Sequence, residues 1–242
     1  MTAGNFQACL AFTLKYEGGP SDNPRDPGGP TMEGVTQATY DAFHAKKARV
    51  RRDVFAMGAA ERDEIYRNEY WDLIDGDVLR AGEDLCVFDF AVNSGPARSR
   101  DIWTRVGGSK AQAADVIHGI CAHRLSFLHA LASWRHFGAG WGRRVAACEA
   151  LVLRMAYGKG APAVLARKAE EANFHSGKKT TQAVAGGTIA GSAAIAHALH
   201  NGTSGPTEIR ILLVVAVLAG ILLFHAWRQG QRAAAFVKEA RR

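Results

Sequence analysis

Residues 6–36 read FQACLAFTLKYEGGPSDNPRDPGGPTMEGVT, and the fold turns on where this stretch changes character. Phe6, Cys9, Leu10, Thr13 and Leu14 recur at the 3.6-residue period of a helix that shows one face to a core. Gly18-Gly19-Pro20 stops that helix, because glycine frees the backbone and proline brings no amide hydrogen. Between Gly18 and Thr36 stand four prolines and five glycines, a composition that suits a turn-rich loop or a small irregular hairpin. Thr36 is then placed as the N-cap of a second helix through Tyr40 and Phe43.

Working outward, helical periodicity continues. Ala59 to Tyr70 reads as a helix with Ile65 and Tyr66 inward, and Glu83 to Asn93 as a short apolar helix ending at Ser94-Gly95-Pro96. Ile117, Ile120, Cys121, Leu125, Leu128 and Leu131 mark a longer amphipathic helix. Trp141, Val145, Cys148, Val152 and Met155 mark another. The basic run from Lys46 to Arg52 reads as solvated surface. No alternating strand pattern exceeds a few residues, so the expected fold is mainly α with a small irregular or β loop.

The charge is divided along the chain. Residues 1–158 carry 19 Lys and Arg against 19 Asp and Glu, while residues 159–242 carry 11 against 4, the whole of the net +7. A nucleic-acid-binding domain concentrates its basic residues on the folded part; here that part is neutral, so no nucleic-acid partner is expected. Cys9, Cys86, Cys121 and Cys148 form no C-x-x-C pair and lie in apolar helical stretches, the pattern of buried thiols rather than of a metal site or disulfide framework. His118, His123 and His129 share no metal-ligand spacing, and neither metal nor cofactor is expected. The N-terminus lacks a basic stretch followed by a long apolar one, so the folded part is expected to be made in the cytosol without ordinary export.

Past Gly158-Lys159-Gly160 the composition shifts. The expected division is a domain over 1–158, a polar linker over 159–182 and a membrane tail over 183–242. Ile211 to Trp227 is strongly apolar and reads as a transmembrane helix, followed by a basic, cytosolic end over 228–242. Val184 to Leu199 is Ala/Gly-rich and reads as a weak second span (183–199), which makes the tail a helical hairpin with the uncharged-to-acidic loop 200–208 outside. The expectation is an inner-membrane protein anchored by its tail.

Chemistry concentrates where the first helix stops. Glu17, on its last turn, is partly shielded by the apolar stripe, and desolvation favours the protonated form that a general acid needs. Asp26, on the neighbouring loop, is placed to stay ionised. Two carboxylates in different settings are the minimum equipment for glycoside hydrolysis. The plainer alternative also stands: a glutamate followed by Gly-Gly is a common helix end, and Asp26-Pro27-Gly28-Gly29 alone is a turn. Asp89 and Asn93, four residues apart, share a helix face and are either a polar wall of a groove or a buried pair. Tyr70 and Trp71 are either a sugar-stacking platform or core.

The segments Glu17-Gly18-Gly19, Asp26-Pro27-Gly28-Gly29-Pro30-Thr31 and Gly34-Val35-Thr36 resemble the N-terminal signature of glycoside hydrolase family 108, the phage and bacterial N-acetylmuramidases. Further blocks follow in the family's order: Ile65-Tyr66 with Tyr70-Trp71, Phe88 to Gly95, and Gly140-Trp141 with Arg144-Val145. The resemblance covers roughly residues 6–157, and the spacing of Glu17, Asp26 and Thr31 is also similar to the Glu/Asp/Thr set of other phage-type lysozymes. It implies a lysozyme-like helical domain that cleaves the β-1,4 bonds of peptidoglycan glycan strands, endolysin-like and of prophage descent. Glu17 becomes the proton donor and Asp26 the second carboxylate. Thr31, or Thr36 in its place, positions a water, and Thr36, Tyr70, Trp71, Asp89 and Asn93 are the candidate substrate contacts. Pro20 stands where the family has Tyr and Met32 where it has Asn, and Ser99 to Gln112 lacks the family's Gln-rich wall-binding block. Competing readings are a non-catalytic envelope protein on the same scaffold and a lytic transglycosylase.

Overall fold

A computed structural model describes residues 4–22, 29–178, 181 and 206–242. The chain divides into two units, one of residues 1–138 and 151–156, the other of residues 139–150 and 157–242.

The first unit is built around a buried helix. Helices α1 (Phe6–Leu14), α2 (Gln37–Lys46), α3 (Ala59–Tyr66), α4 (Glu83–Ser94), α5 (Pro96–Arg105) and α6 (Ala113–His129) follow in chain order, with a two-stranded antiparallel hairpin, β1 (Thr31–Met32) and β2 (Val35–Thr36), between α1 and α2. Every residue of α4 from Glu83 to Ala91 is buried. Such burial requires its polar groups to be bonded. Asp84 accepts from the backbone N–H of Gly82 and Leu85, capping the helix where its dipole is positive, and from Asn5 Nδ2 at 2.8 Å. Glu83 accepts from the Trp103 indole of α5 at 3.1 Å. Asp89 takes Thr13 of α1 at 3.0 Å and Arg124 of α6 at 2.6 Å. Around these polar rungs, Phe6, Trp71 and Phe88 meet edge to face with centroids 5.4–6.0 Å apart, a geometry aromatic rings favour.

The expected helix from Ala59 to Tyr70 tightens and widens along its length. After Tyr66 it becomes a π-turn over Arg67–Trp71 and then short 3-10 turns to Val78. Helix α5 was not anticipated beyond the stop at Gly95-Pro96. Its proline sits in the first helical turn, where a missing amide hydrogen costs nothing, so the pair that ends α4 also starts α5.

The second unit contains the middle of α7 (Trp134–Tyr157), helix α8 over residues 161–178 and helix α9 (Pro206–Ala240). Residues 161–178, within the segment read as a linker, are helical, and Ala161, Leu165, Ala169 and Ala172 form a buried stripe on them. Among the described residues no helix is long and apolar enough to cross a membrane. This overturns the expected C-terminal transmembrane helix or hairpin; segment 183–199 lies outside the described residues. The physical reason lies at the ends of the apolar run. Seventeen residues, 211–227, between Arg210 and Arg228 give about 25 Å of helix, short of the ~30 Å of bilayer hydrocarbon. Nor is 228–242 a free basic end. Ala226, Ala233 and Phe236 are buried, Ser176 donates to the Ala226 carbonyl at 2.9 Å, and Arg232 grips Glu149 with two bonds of 2.7 Å. Burial, together with the charge of Arg232 and against that of Glu149, lowers the pKa of Arg228.

Candidate active site

Glu17 leaves α1 on a tight final turn. The amides of Lys15, Tyr16 and Glu17 donate to the carbonyls three residues back, at 3.2, 2.9 and 3.3 Å, so the helix narrows before it breaks. The residue is half-buried. Its neighbours Gly18 and Gly19 face open space, where an added methyl would touch nothing within 4 Å. Glycine there is not needed for packing.

The hairpin closes over the other side. Its two turn residues, Glu33 and Gly34, have φ of +47° and +80°, as a two-residue turn between right-twisted strands requires. Gly34 is required twice over. A Cβ there would lie 2.5 Å from the Tyr66 hydroxyl and 3.2 Å from Glu17 Oε2, so the turn backbone sits directly against the candidate acid. Tyr66 donates to the Glu33 carbonyl at 2.8 Å, and Arg62 holds the Glu33 carboxylate at 2.9 Å. Tyr66, inward-facing in the sequence and part of a family-like block but given no role there, is therefore what fixes the turn beside Glu17. The signal was its hydroxyl: a buried tyrosine needs a partner for it.

Tyr70, one helical turn on, stacks obliquely on Tyr66 with centroids 5.5 Å apart. Burial pushes its phenol pKa up, and the charges of Glu17 and Glu69 push it further, so it remains a neutral donor near the Glu17 carboxylate. Thr31 is paired across the hairpin with Thr36. Thr31 donates its hydroxyl hydrogen to the Gly29 carbonyl at 2.9 Å, which leaves its oxygen able to accept. Thr36 caps α2, accepting from the Thr39 amide at 3.2 Å.

The remaining candidates part company. Trp71 is fully buried, its indole donating to Asp77 at 3.0 Å, and belongs to the core. Asp89 is fully buried, bonded to Thr13 of α1 and Arg124 of α6. Asn93 is half-buried at the end of α4. The bonds Asn5–Asp84 and Thr13–Asp89 advance in the same sense along α1 and α4. Glu17, one turn past Thr13, and Asn93, one turn past Asp89, therefore emerge at the same end of the two helices. Asp26 lies outside the described residues. Among the described residues no group of three or more His, Cys, Asp or Glu is arranged to hold a metal ion.

Comparison with known proteins falls on the same residues. The family Glycosyl hydrolase 108 matches residues 10–95, from α1 to the end of α4. No curated protein matches the chain. A solved structure of Brucella abortus SagA is 33% identical with a TM-score of 0.56, over 63% of this chain and 96% of that one. More than a third of the present chain thus lies beyond the likeness. At that identity across nearly the whole of the solved relative, and with the family match spanning the elements that carry Glu17, the hairpin and Tyr66, the chain belongs to glycosyl hydrolase family 108.

Proposed function

We propose that this glycosidase hydrolyses the β-1,4 bond between N-acetylmuramic acid and N-acetylglucosamine in peptidoglycan, with Glu17 as the proton donor. The observation that carries the reading is Glu17 itself. Its half-buried carboxylate lies against the hairpin turn at Gly34, and the chain continues from it into the exposed Gly18-Gly19. A glycan strand entering there brings its bridging oxygen to the carboxyl, which protonates the leaving sugar as the bond breaks. Tyr70, held neutral, is available to donate to a sugar oxygen or carbonyl. Asn93 is available at the same end. Thr31 fits the water-positioning role better than Thr36, whose oxygen already caps α2. Asp26 is the proposed second carboxylate. The reading includes an endolysin-like role on the cell wall and prophage descent.

Zymography on peptidoglycan with the full chain and with Glu17→Gln tests it. The wild type is expected to clear the gel and the variant to fail while keeping its fold. Clearing by both removes Glu17 from the role, and no clearing by the wild type favours a non-catalytic scaffold. Mass spectrometry of the products is expected to show reducing muramic acid ends; anhydro ends would make the enzyme a lytic transglycosylase instead.

A further inference from the structure

The thiols of Cys86 on α4 and Cys121 on α6 lie 3.7 Å apart, and both are buried. Three residues further along each helix, Asp89 meets Arg124 at 2.6 Å. The two contacts share one offset of 35 residues along the chain, so they are successive rungs of a single α4–α6 register. The ion pair, costly to break once buried, locks that register and with it the approach of the two sulfurs. Cys9 and Cys148, also buried, are the other two cysteines of the chain.

We propose that Cys86 and Cys121 form a disulfide when the chain folds in an oxidising compartment. A bonded pair needs about 2.05 Å between sulfurs, so the two must approach by less than 2 Å. The electrons go to a low-molecular-weight or protein disulfide. The thiolate of one cysteine attacks the donor's sulfur–sulfur bond, giving a mixed disulfide and releasing one donor thiol. The second cysteine's thiolate then attacks the protein sulfur of that mixed disulfide, closing Cys86–Cys121 and releasing the second donor thiol. Two protein thiols are oxidised, and the donor takes up both electrons and both protons. Because the sulfurs are buried in the folded state, the exchange occurs during folding or in transient opening. The modification is available where disulfides persist and absent where thiols are kept reduced. It braces the rung beside Asp89, one turn from Asn93 at the proposed groove.

The test is refolding of the full chain from denaturant, once in a reduced/oxidised glutathione buffer and once in excess reductant. Glutathione is expected to give a species lighter by two hydrogens, with two of the four cysteines left to alkylate after denaturation and peptides around 86 and 121 joined. Its Tm is expected to exceed that of the reduced form by roughly 5–10 °C, as for a closed loop of this length. Cys9→Ala/Cys148→Ala should keep the link and the shift, and Cys86→Ala should abolish both. Four alkylatable cysteines after glutathione refolding, or a bond that includes Cys9 or Cys148, would overturn the proposal. Loss of folding in Cys86→Ala leaves the double variant to decide.

Discussion

Glu17 and Asp89 are carboxylates at comparable places on neighbouring helices, and the molecule uses them in opposite ways. Asp89 has no exposed surface; a hydroxyl from α1 and a guanidinium from α6 converge on it. Glu17 stands one turn past the Thr13 that Asp89 binds, half-buried against the hairpin turn at Gly34 and followed by the exposed Gly18-Gly19. The first arrangement spends a charge on orienting three helices. The second leaves a carboxyl only half-buried. Burial together with dedicated partners separates a structural acid from a chemical one, and residue type alone does not.

The sharpest way to break that contrast is to exchange the expected phenotypes. Glu17→Gln should lower glycan cleavage by about 10²–10⁴-fold, the usual contribution of a positioned general acid, with Tm nearly unchanged. Turnover assays and thermal unfolding on one preparation check both halves. Asp89→Ala should do the reverse, leaving Arg124 buried without its partner at a cost of about 3–5 kcal/mol and lowering Tm by roughly 10 °C or more. Asp89→Leu with Arg124→Met should recover much of the loss, since a well-packed apolar pair replaces a buried ion pair at little cost. An Asp89→Ala protein of normal Tm and lost activity would move Asp89 to the groove wall.

Much of this contrast was legible along the chain, but only its local half. The stripe of α1, the stop at Gly18-Gly19-Pro20, the Thr36 cap and the hairpin region each follow from residues within a few positions of one another. The family blocks pointed to Glu17 on the same local footing. Periodicity tells which face of a helix turns inward, not what meets it there. The bond from Asp89 to Arg124 spans 35 residues, and that from Tyr66 to Glu33 spans 33. Neither leaves a spacing signature, so Asp89 stays open between two roles in the sequence and Tyr66 has no assigned role there. The C-terminal segment adds a long-range contact of the same kind. The apolar run 211–227 is real, but Glu149, which receives Arg232, stands 83 residues before that arginine.

Gly34 and Tyr66 test whether the turn holds the acid in place. Gly34→Ala must adopt φ near +80° with a side chain and displace the Tyr66 hydroxyl. It should cost about 2 kcal/mol and reduce activity well beyond the loss of folded protein. Tyr66→Phe removes one bond to the Glu33 carbonyl. It should cost about 1–2 kcal/mol and lower kcat more than it raises KM. If both variants keep wild-type kcat, the hairpin is a scaffold for α2 and not a positioning element for Glu17.

Glu61 supplies the intermediate case between the two carboxylates and the smallest expected effect. Its side chain is 20% exposed. Burial raises its pKa, but the Tyr40 hydroxyl, the Gly58 amide and the charges of Arg52 and His44 outweigh it, and the carboxyl is held below its ordinary value. The folded state therefore stays ionised at a pH where the unfolded chain takes up a proton. Its contribution to stability is fully present above the ordinary carboxylate value and disappears as pH falls through the depressed folded one. Glu61→Gln should cost up to about 1 kcal/mol at neutral pH and almost nothing once both forms are protonated. The profile of Tm against pH for the variant should run flatter than the wild type's on the acid side, and meet it at the acid end. Parallel profiles would mean that Glu61 acts as a neutral hydrogen-bonding group. Its charge would then contribute nothing, and partial burial with partners would not be enough to make a carboxylate structural in the way Asp89 is.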